Sequence, residues 1–336
     1  MRFHILATRS DKLGGMRCFF ALLFSFALIA AACSGSGSGG GDALPTTVDP
    51  DGLPEDTVLF DDDGGDTETS PTETTSVETT TTAPPTPAST PSLAIFRFGT
   101  LGGWTGSGWH QDDSSSPDDV GAAAGDQFQM AGIGVEPGTV EGGAPMLVCE
   151  PAGGFGVETS PELPYDGFDG SIAIGVRADW NALPRTAAVT AGGTGVYLDE
   201  VARLIGQNGI DPALATVDSV ARVDLEGDGV DEVVVTANRS PNWPEPEAGN
   251  YSLVFLRKLV DEEVQTAILF STYLAETPPD FYWVRARLAG FADLNGDAKL
   301  EILMASEYYE GAGIEAFEYV NDDLGPVSVI GSGCGA

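Results

Sequence analysis

The sequence predicts a mainly β domain with antiparallel sheets and one packed α-helix, spanning residues 93–336. Short runs rich in β-branched and aromatic residues recur there between Gly-, Pro- and Asp-rich turns, as in all-β domains. The clearest helical spacing of apolar residues covers residues 194–209. Two acidic segments, 224–232 and 293–301, are each followed by a strand-like run and mark an internal repeat.

The chain begins with a predicted export signal, residues 1–32. Four basic residues lie in the first 17, and a 15-residue apolar run follows at 18–32. A membrane span needs about 20 apolar residues, so this run is short for a span. A basic region before a short apolar stretch and small residues is typical of a secretory signal peptide.

The signal ends in Ala30-Ala-Ala-Cys33, which is followed by a Gly/Ser spacer. This pattern resembles the lipobox of bacterial lipoproteins. The resemblance implies that Cys33 becomes the lipidated first residue and anchors the chain at the extracytoplasmic face of the cell membrane. Several acyl chains would hold it firmly, since one chain alone binds only marginally. The alternative is a cleaved signal with an unmodified Cys33.

Residues 33–92 are predicted to be a disordered linker. They are rich in Gly, Ser, Thr, Pro and Asp, and they contain too few apolar residues to bury a core. We expect this segment to carry the folded domain away from the membrane.

The folded domain is predicted to have an N-terminal β part, residues 93–190, and a second part, residues 191–336, with the helix and two repeats. In the first part the Gly-rich stretch 102–109 is interpreted as a surface loop held by two tryptophans. In the helix, Thr194 is the predicted N-cap. Predicted strands are Leu93–Phe98, Met146–Cys149, Ser171–Val176, Ser219–Val223, Val233–Ala237, Tyr251–Leu259, Val264–Phe270, Phe281–Phe291, Ile302–Ser306, Gly313–Val320 and Val327–Ile330.

The two acidic segments place oxygen-bearing side chains at alternate positions and end in a glutamate at position nine. Calcium takes six to eight oxygen ligands, and such spacing wraps oxygens around one point. An EF-hand would need a glutamate at position twelve, where this chain has Val235 and Met304. The side chains are Asp224, Glu226, Asp228 and Glu232 in the first segment and Asp293, Asn295, Asp297 and Glu301 in the second.

The segments resemble the D-x-[DN]-x-D-G-x-x-[DE] loops of FG-GAP/VCBS-type repeats, which lie between two strands of β-propeller proteins and bind calcium. The resemblance implies Ca²⁺ at both segments, held by the eight side chains above and by the carbonyls of Val230 and Lys299. The segments depart from the pattern at two positions. Glu226 is longer than the usual Asp or Asn. Ala298 takes the place of Gly229 where a turn often needs positive φ.

The repeat has an offset of 69 residues, from Asp224 to Asp293. A period above about 50 residues suggests a blade-like unit of several strands. A propeller closes with four or more blades, so two units predict partial propeller-like repeats and not a closed propeller.

The net charge limits the kinds of partner that the chain can bind. A net charge of −36 and an acidic pI of about 4.1 argue against nucleic acid, which needs a basic patch.

In the predicted domain the two cysteines are Cys149 and Cys334, and we expect them to form a disulfide in an exported protein. The alternative is two separate buried thiols.

We expect no enzyme, because no catalytic constellation stands out. His110 is the one histidine of the predicted domain and is interpreted as a loop residue. The expected function is binding or scaffolding in the cell envelope, with an envelope protein or glycan as partner. One alternative is a glycan hydrolase using paired carboxylates among Glu307, Glu310 and Glu315. Another is a purely structural protein.

Two tryptophans differ in their expected burial. Trp283 is expected in the core, and Trp243 is the better candidate for exposure to solvent.

Overall fold

The structure is a computed structural model that describes residues 86–112, 116–149, 154–260, 263–277, 282–319 and 325–335. All of these described residues belong to one compact unit. The predicted signal peptide, Cys33 and the predicted linker up to residue 85 lie outside the described residues. In the described part, no helix is long and apolar enough to cross a membrane.

The described residues form three antiparallel sheets and one α-helix, with 50% strand and 8% helix, which confirms the predicted fold class. Sheet I has seven strands in the order β3-β2-β1-β7-β4-β5-β6 and is open at both edges. Its strands are β1 (Leu93–Phe96), β2 (Gly99–Trp104), β3 (Trp109–Gln111), β4 (Gln127–Ala131), β5 (Thr139–Cys149), β6 (Gly154–Ser160) and β7 (Ile174–Arg177).

Sheets II and III contain the sequence repeat. Sheet II has the order β12-β11-β10-β9-β8, and sheet III has the order β13-β14-β15-β16. Sheet II comprises β8 (Ala188–Ala191), β9 (Ser219–Val223), β10 (Glu232–Arg239), β11 (Tyr251–Val260) and β12 (Glu263–Tyr273). Sheet III comprises β13 (Arg285–Ala292), β14 (Glu301–Tyr308), β15 (Gly311–Tyr319) and β16 (Pro326–Gly335).

Each repeat is therefore a four-stranded meander, β9–β12 or β13–β16, with its acidic segment between the first and second strands. The described residues contain two such meanders and three open sheets. This agrees with the prediction of partial propeller-like repeats without a closed propeller.

The sheets stack in layers because their strands are apolar on the facing sides. Val254 and Leu256 of sheet II share a buried cluster with Leu288 and Met304 of sheet III. The other face of sheet III packs on sheet I in a second cluster, which includes Phe96, Ile174, Leu303 and Ala316. Burying one such large apolar side chain stabilises the fold by about 1.5–3 kcal/mol, so these two interfaces hold the three sheets together.

Helix α1 (Val196–Gln207) covers the outer face of sheet II. Val201, Leu204 and Ile205 are buried against that sheet, which confirms the predicted apolar stripe. The predicted N-cap is wrong, because Gly195 occupies the cap position and no side chain caps the helix.

The Gly-rich stretch is also corrected by the structure. Gly102 and Gly103 lie within β2, and Trp109 and His110 lie in the edge strand β3, so neither pair belongs to a surface loop. A side chain on Gly103 would place its Cβ 2.3 Å from the carbonyl oxygen of Ser92. Glycine is needed there because the neighbouring backbone comes so close.

The predicted disulfide is present. Cys149 at the end of β5 and Cys334 in β16 are bonded, with a Cα–Cα distance of 5.7 Å and a sequence separation of 185. The bond joins sheet I to sheet III near the C-terminal end of the described chain.

Candidate cation site in two paired acidic loops

The first acidic loop (224–232) and the second acidic loop (293–301) fold into the same turn. Positive φ angles occur at matching positions: 77° and 88° at Gly227 and Gly229, and 75° and 61° at Gly296 and Ala298. Among the described residues, Ala298 is the one non-glycine with positive φ. The second loop thus keeps the turn geometry although an alanine fits it less readily than glycine.

The leading aspartate of each loop folds the turn over its own carboxylate. Asp224 accepts hydrogen bonds from the N–H groups of Gly227, Asp228 and Gly229 at 2.6, 3.1 and 3.0 Å. In the second loop the Asp293 carboxylate accepts N–H groups from the matching positions, Gly296 at 2.6 Å and Ala298 at 3.0 Å. These bonds satisfy backbone donors that a tight turn leaves without strand partners.

The closing glutamate of each loop is buried. Glu232 is 5% exposed and accepts the N–H of Leu225 at 2.8 Å. Glu301 is 1% exposed and accepts the N–H of Leu294 at 2.6 Å. Each glutamate therefore ties the end of its loop back to the second residue of the same loop.

Burial in like-charged surroundings shifts the acidity of three of these carboxyls. It raises the pKa of Glu232 to about 7 and that of Asp293 to about 6, against the opposing effect of their backbone hydrogen bonds. Burial raises the pKa of Glu301 well above its ordinary value, and the nearby carboxylates Asp297 and Asp293 add to this. Burial therefore disfavours the ionised form of these three carboxyls, and an opposite charge beside them would favour it.

The two loops are bonded to each other. Leu300 N–H donates to the carbonyl of Leu225 at 2.9 Å. The guanidinium of Arg185 donates to three carbonyls across both loops, those of Asp224 (2.5 Å), Leu225 (3.0 Å) and Ala298 (2.7 Å). The loops thus form one unit held by a cation from the connector that follows sheet I. Sequence reasoning missed this role of Arg185, because only the fold brings it next to the loops.

The second loop has further supports from the connector that follows sheet I and from the chain before β1. Trp180 Nε1 donates to the carbonyl of Asp293 at 2.9 Å. Ala88 N–H donates to Asn295 O at 2.8 Å, and Ser92 Oγ donates to Leu294 O at 2.6 Å. Contacts of the domain therefore begin at Ala88, within the segment predicted to be linker.

The remaining predicted ligands have several different partners. Glu226 pairs with Lys299 Nζ at 3.5 Å, which links the loops once more. Asn295 donates from Nδ2 to Glu318 at 3.0 Å and accepts the N–H of Asp297 at 3.0 Å. The N–H groups of Val230 and Lys299 each bond at 2.8 Å to the aspartate two residues before, Asp228 or Asp297.

The chemistry of this donor set fits a hard cation, because every candidate ligand is an oxygen and several are buried carboxylates. The arrangement found here uses many of these oxygens for backbone amides. Within the described residues, no three acidic, histidine or cysteine side chains are grouped so that they could hold a metal ion. A cation would therefore compete with the amide hydrogen bonds for the same oxygens.

The carboxylates suggested for glycan hydrolysis have separate partners. Glu307 pairs with Arg285 at 3.0 Å, Glu315 accepts a hydrogen bond from the hydroxyl of Ser328, and Glu310 lies beside Tyr309.

His110 is exposed in β3. Trp283 is 2% exposed, which confirms its predicted place in the core. Trp243 is half-buried, with its ring 4.4 Å from the guanidinium of Arg285.

Comparison with known proteins assigns no family to this fold. No family model matches the chain, and no curated protein or solved structure matches it either.

Proposed function

We propose that this chain is a lipid-anchored cell-envelope protein whose β domain binds or scaffolds outside the membrane, with calcium stabilising its two acidic loops. The observation that carries the proposal is the interlocked pair of loops with buried carboxylates at Glu232, Asp293 and Glu301. Buried negative charge favours a bound cation, since a nearby opposite charge stabilises the ionised carboxylate.

The first loop would hold the ion through Asp224, Glu226, Asp228 and Glu232 with the Val230 carbonyl. The second would use the equivalent oxygens of Asp293, Asn295, Asp297 and Glu301 with the Lys299 carbonyl. When bound, calcium supplies positive charge that offsets the carboxylates, and the chain's own residues fix the turn. Arg185 and the Leu300–Leu225 hydrogen bond hold the loops next to each other.

Anchoring is proposed from the sequence, on Cys33 and the signal before it. The disulfide between Cys149 and Cys334 supports export, since disulfides persist in oxidising compartments. The membrane would be reached through the lipid, and the other partner would be an envelope protein or glycan. The strongly acidic chain argues against a nucleic-acid partner.

The proposal assigns binding and not catalysis. Glu307, the best-placed acid of the hydrolase alternative, is held by Arg285, and its neighbours Glu310 and Glu315 have other contacts. A paired-carboxylate mechanism needs two acids about 5–9.5 Å apart across a substrate. Turnover of envelope glycans by the purified chain would favour the hydrolase alternative.

Thermal unfolding of the full chain, in calcium and in EDTA, tests the calcium part. A ligand at 100 times its dissociation constant adds about 2.7 kcal/mol of stability. We expect calcium to raise the melting temperature, and Asp224→Ala or the milder Asp228→Asn to reduce that shift. Asp199→Asn, an exposed acid on α1, is the matched control. No shift at millimolar calcium would remove calcium from the proposal.

The anchor has a separate test. Cell fractionation should find the native chain in the membrane fraction, and Cys33→Ala should release it. Mass spectrometry of the mature N-terminus should find acyl chains on Cys33. An unmodified or absent Cys33 in the membrane-bound protein would contradict the anchor.

A further inference from the structure

A polar cleft of about 400 Å³ lies where the three sheets meet. We call it the junction cleft, and it is lined in part by Phe168, Asp169, Asp218, Asn238, Arg285 and Arg287. Its volume is within the range of about 300–1,000 Å³ typical of small-molecule sites. Its lining, with two acids, two arginines, an amide and hydroxyls, is more polar than that of most such sites.

The cleft and the acidic loops lie at opposite ends of the same strands. Asp218 comes just before β9, and the first acidic loop follows that strand. Arg285 is the first residue of β13, and the second acidic loop follows its end. At about 3.3 Å per residue, the strands place Asp218 about 20 Å from Asp224 and Arg285 about 26 Å from Asp293. The cleft is therefore distinct from the proposed cation site.

Arg285 is fixed in place on several sides. Its guanidinium lies 4.2 Å from the ring centre of Phe168 and 4.4 Å from that of Trp243. Its nitrogens bond to Asp169 at 3.3 and 3.4 Å and to Glu307 at 3.0 Å. A side chain immobilised in this way loses little conformational entropy when a ligand binds, which is how preorganised sites gain affinity.

Asp218 presents a carboxylate oxygen for a ligand. The backbone N–H and the Nδ2 of Asn238 both donate to Asp218 Oδ2, each at 2.9 Å. In the described part of the chain, Oδ1 accepts no hydrogen bond. The carboxylate is therefore held in a fixed orientation with one oxygen available as an acceptor.

Two buried polar atoms of lining residues lack partners among the described residues. They are Asn238 Oδ1, which needs a donor, and Arg287 Nε, which needs an acceptor. Arg287 also donates from its terminal nitrogen to the carbonyl of Gly170, and no carboxylate of the described residues is hydrogen-bonded to its guanidinium. Buried polar atoms are normally hydrogen-bonded, so a ligand that offers one donor and one acceptor would match these two atoms.

The charges decide the class of ligand. Asp169, Asp218 and Glu307 stand near Arg285 and Arg287, so an anion would meet carboxylates and a cation would meet guanidinium groups. A hydroxyl both donates and accepts a hydrogen bond, so it can pair with the carboxylates and with the guanidinium groups that line the cleft. We propose that the junction cleft binds an uncharged saccharide unit. This inference rests on the binding function proposed above and gives it a ligand class and a site.

Exposed aromatic rings at the same end of sheet III support this assignment. Tyr282 and Tyr309 stack with ring centres 5.5 Å apart and planes 3° apart, and they are 65% and 50% exposed. Arg285 and Glu307 are register partners in the β13–β14 pair, so the tyrosines flank the same strand ends. Exposed aromatic faces offer apolar contact area at this end of the sheet, which a longer saccharide could use.

Isothermal calorimetry on the full chain tests the inference with fixed probes. The uncharged probes are cellobiose, maltose and N,N′-diacetylchitobiose, and the charged comparisons are inorganic phosphate and spermidine. We expect at least one disaccharide to bind and Asp218→Asn to weaken it by about tenfold or more. The control Asp199→Asn removes the same charge on α1 and should leave the dissociation constant unchanged.

Three results would overturn the inference: no heat from any disaccharide, disaccharide binding that Asp218→Asn leaves intact, or Asp218-dependent binding of phosphate or spermidine. Melting curves must show that Asp218→Asn is folded, and Ser219→Ala at the same cleft gives a second variant. Calcium-dependent melting of the same samples separates the two proposals. A calcium shift without saccharide binding would remove the cleft inference alone.

Discussion

The N–H of Leu300 donates to the carbonyl of Leu225 at 2.9 Å and joins the two acidic loops across sheets II and III. Both residues are buried, at 1% and 0% exposure, so water cannot replace this bond. The two sequence repeats are therefore hydrogen-bonded to each other at their acidic loops.

Arg185→Lys should destabilise the domain by about 1–2 kcal/mol and lower its melting temperature by several degrees. Arg185 donates to three carbonyls of the two loops, and a lysine cannot reproduce a guanidinium that reaches several acceptors at once. Arg97→Lys, in the exposed pair with Glu162, is the control and should change stability by less than about 1 kcal/mol. Faster hydrogen exchange at Leu300 should accompany the loss in Arg185→Lys.

Ala298→Gly should raise stability, by about 0.5–1 kcal/mol. The φ of 61° strains an alanine, while glycine adopts it freely at some entropic cost in the unfolded chain. Gly229→Ala in the first loop is the matched reverse change. Open space surrounds Gly229, so its expected loss of stability comes from φ alone. Equal and unchanged melting temperatures for both variants would contradict this account of the turns.

Removal of the disulfide should destabilise the domain strongly. The bond closes a segment with a sequence separation of 185, and the chain-entropy model gives about 5 kcal/mol for a loop of this size. The double variant Cys149→Ser with Cys334→Ser should melt at a clearly lower temperature than the unchanged chain. A free-thiol assay on the unfolded, unreduced chain should find neither of these cysteines reactive.

Stability should also depend on Glu200 at acidic pH. The hydrogen bond from Arg203 is the main cause that lowers the pKa of Glu200 below its ordinary value of 4.5. A lowered pKa stabilises the fold at pH values above the unfolded pKa, and the contribution is lost as pH falls through the folded value. Glu200→Gln should cost about 0.5 kcal/mol near pH 7 and nothing near pH 2. An equal loss at both values would mean that the charge is not responsible.

Much of sheets II and III follows from local sequence signals. Tyr251–Val260 and Glu263–Tyr273 pair as a hairpin, where the sequence predicts two successive strands, Tyr251–Leu259 and Val264–Phe270. The turn of the acidic loops could also be predicted, because Gly229 and Ala298 occupy matching positions where such a turn often needs positive φ. Both residues have positive φ in the structure. These features depend on neighbours in the chain, which the sequence displays directly.

Features that depend on distant partners could not be predicted in this way. The Gly-rich strand β2 lacks the side chains that mark a strand, and its reason is the close approach of Ser92 to Gly103. The junction cleft combines Phe168, Asp218 and Arg285 from three regions of the chain, and no spacing in the sequence connects them. The role of Arg185 depends likewise on two loops 39 and 113 residues away.

Ala88 and Ser92, which hydrogen-bond to the second acidic loop, bear on how the domain would resist a pulling force. Tension arriving along the chain from the N-terminal side would first meet the hydrogen bonds of Ala88 and Ser92 to the second acidic loop and to Trp104. The second acidic loop adjoins the end of β13, while the junction cleft lies at the start of that strand. The cleft is thus at the end of β13 away from the contacts that would resist the force.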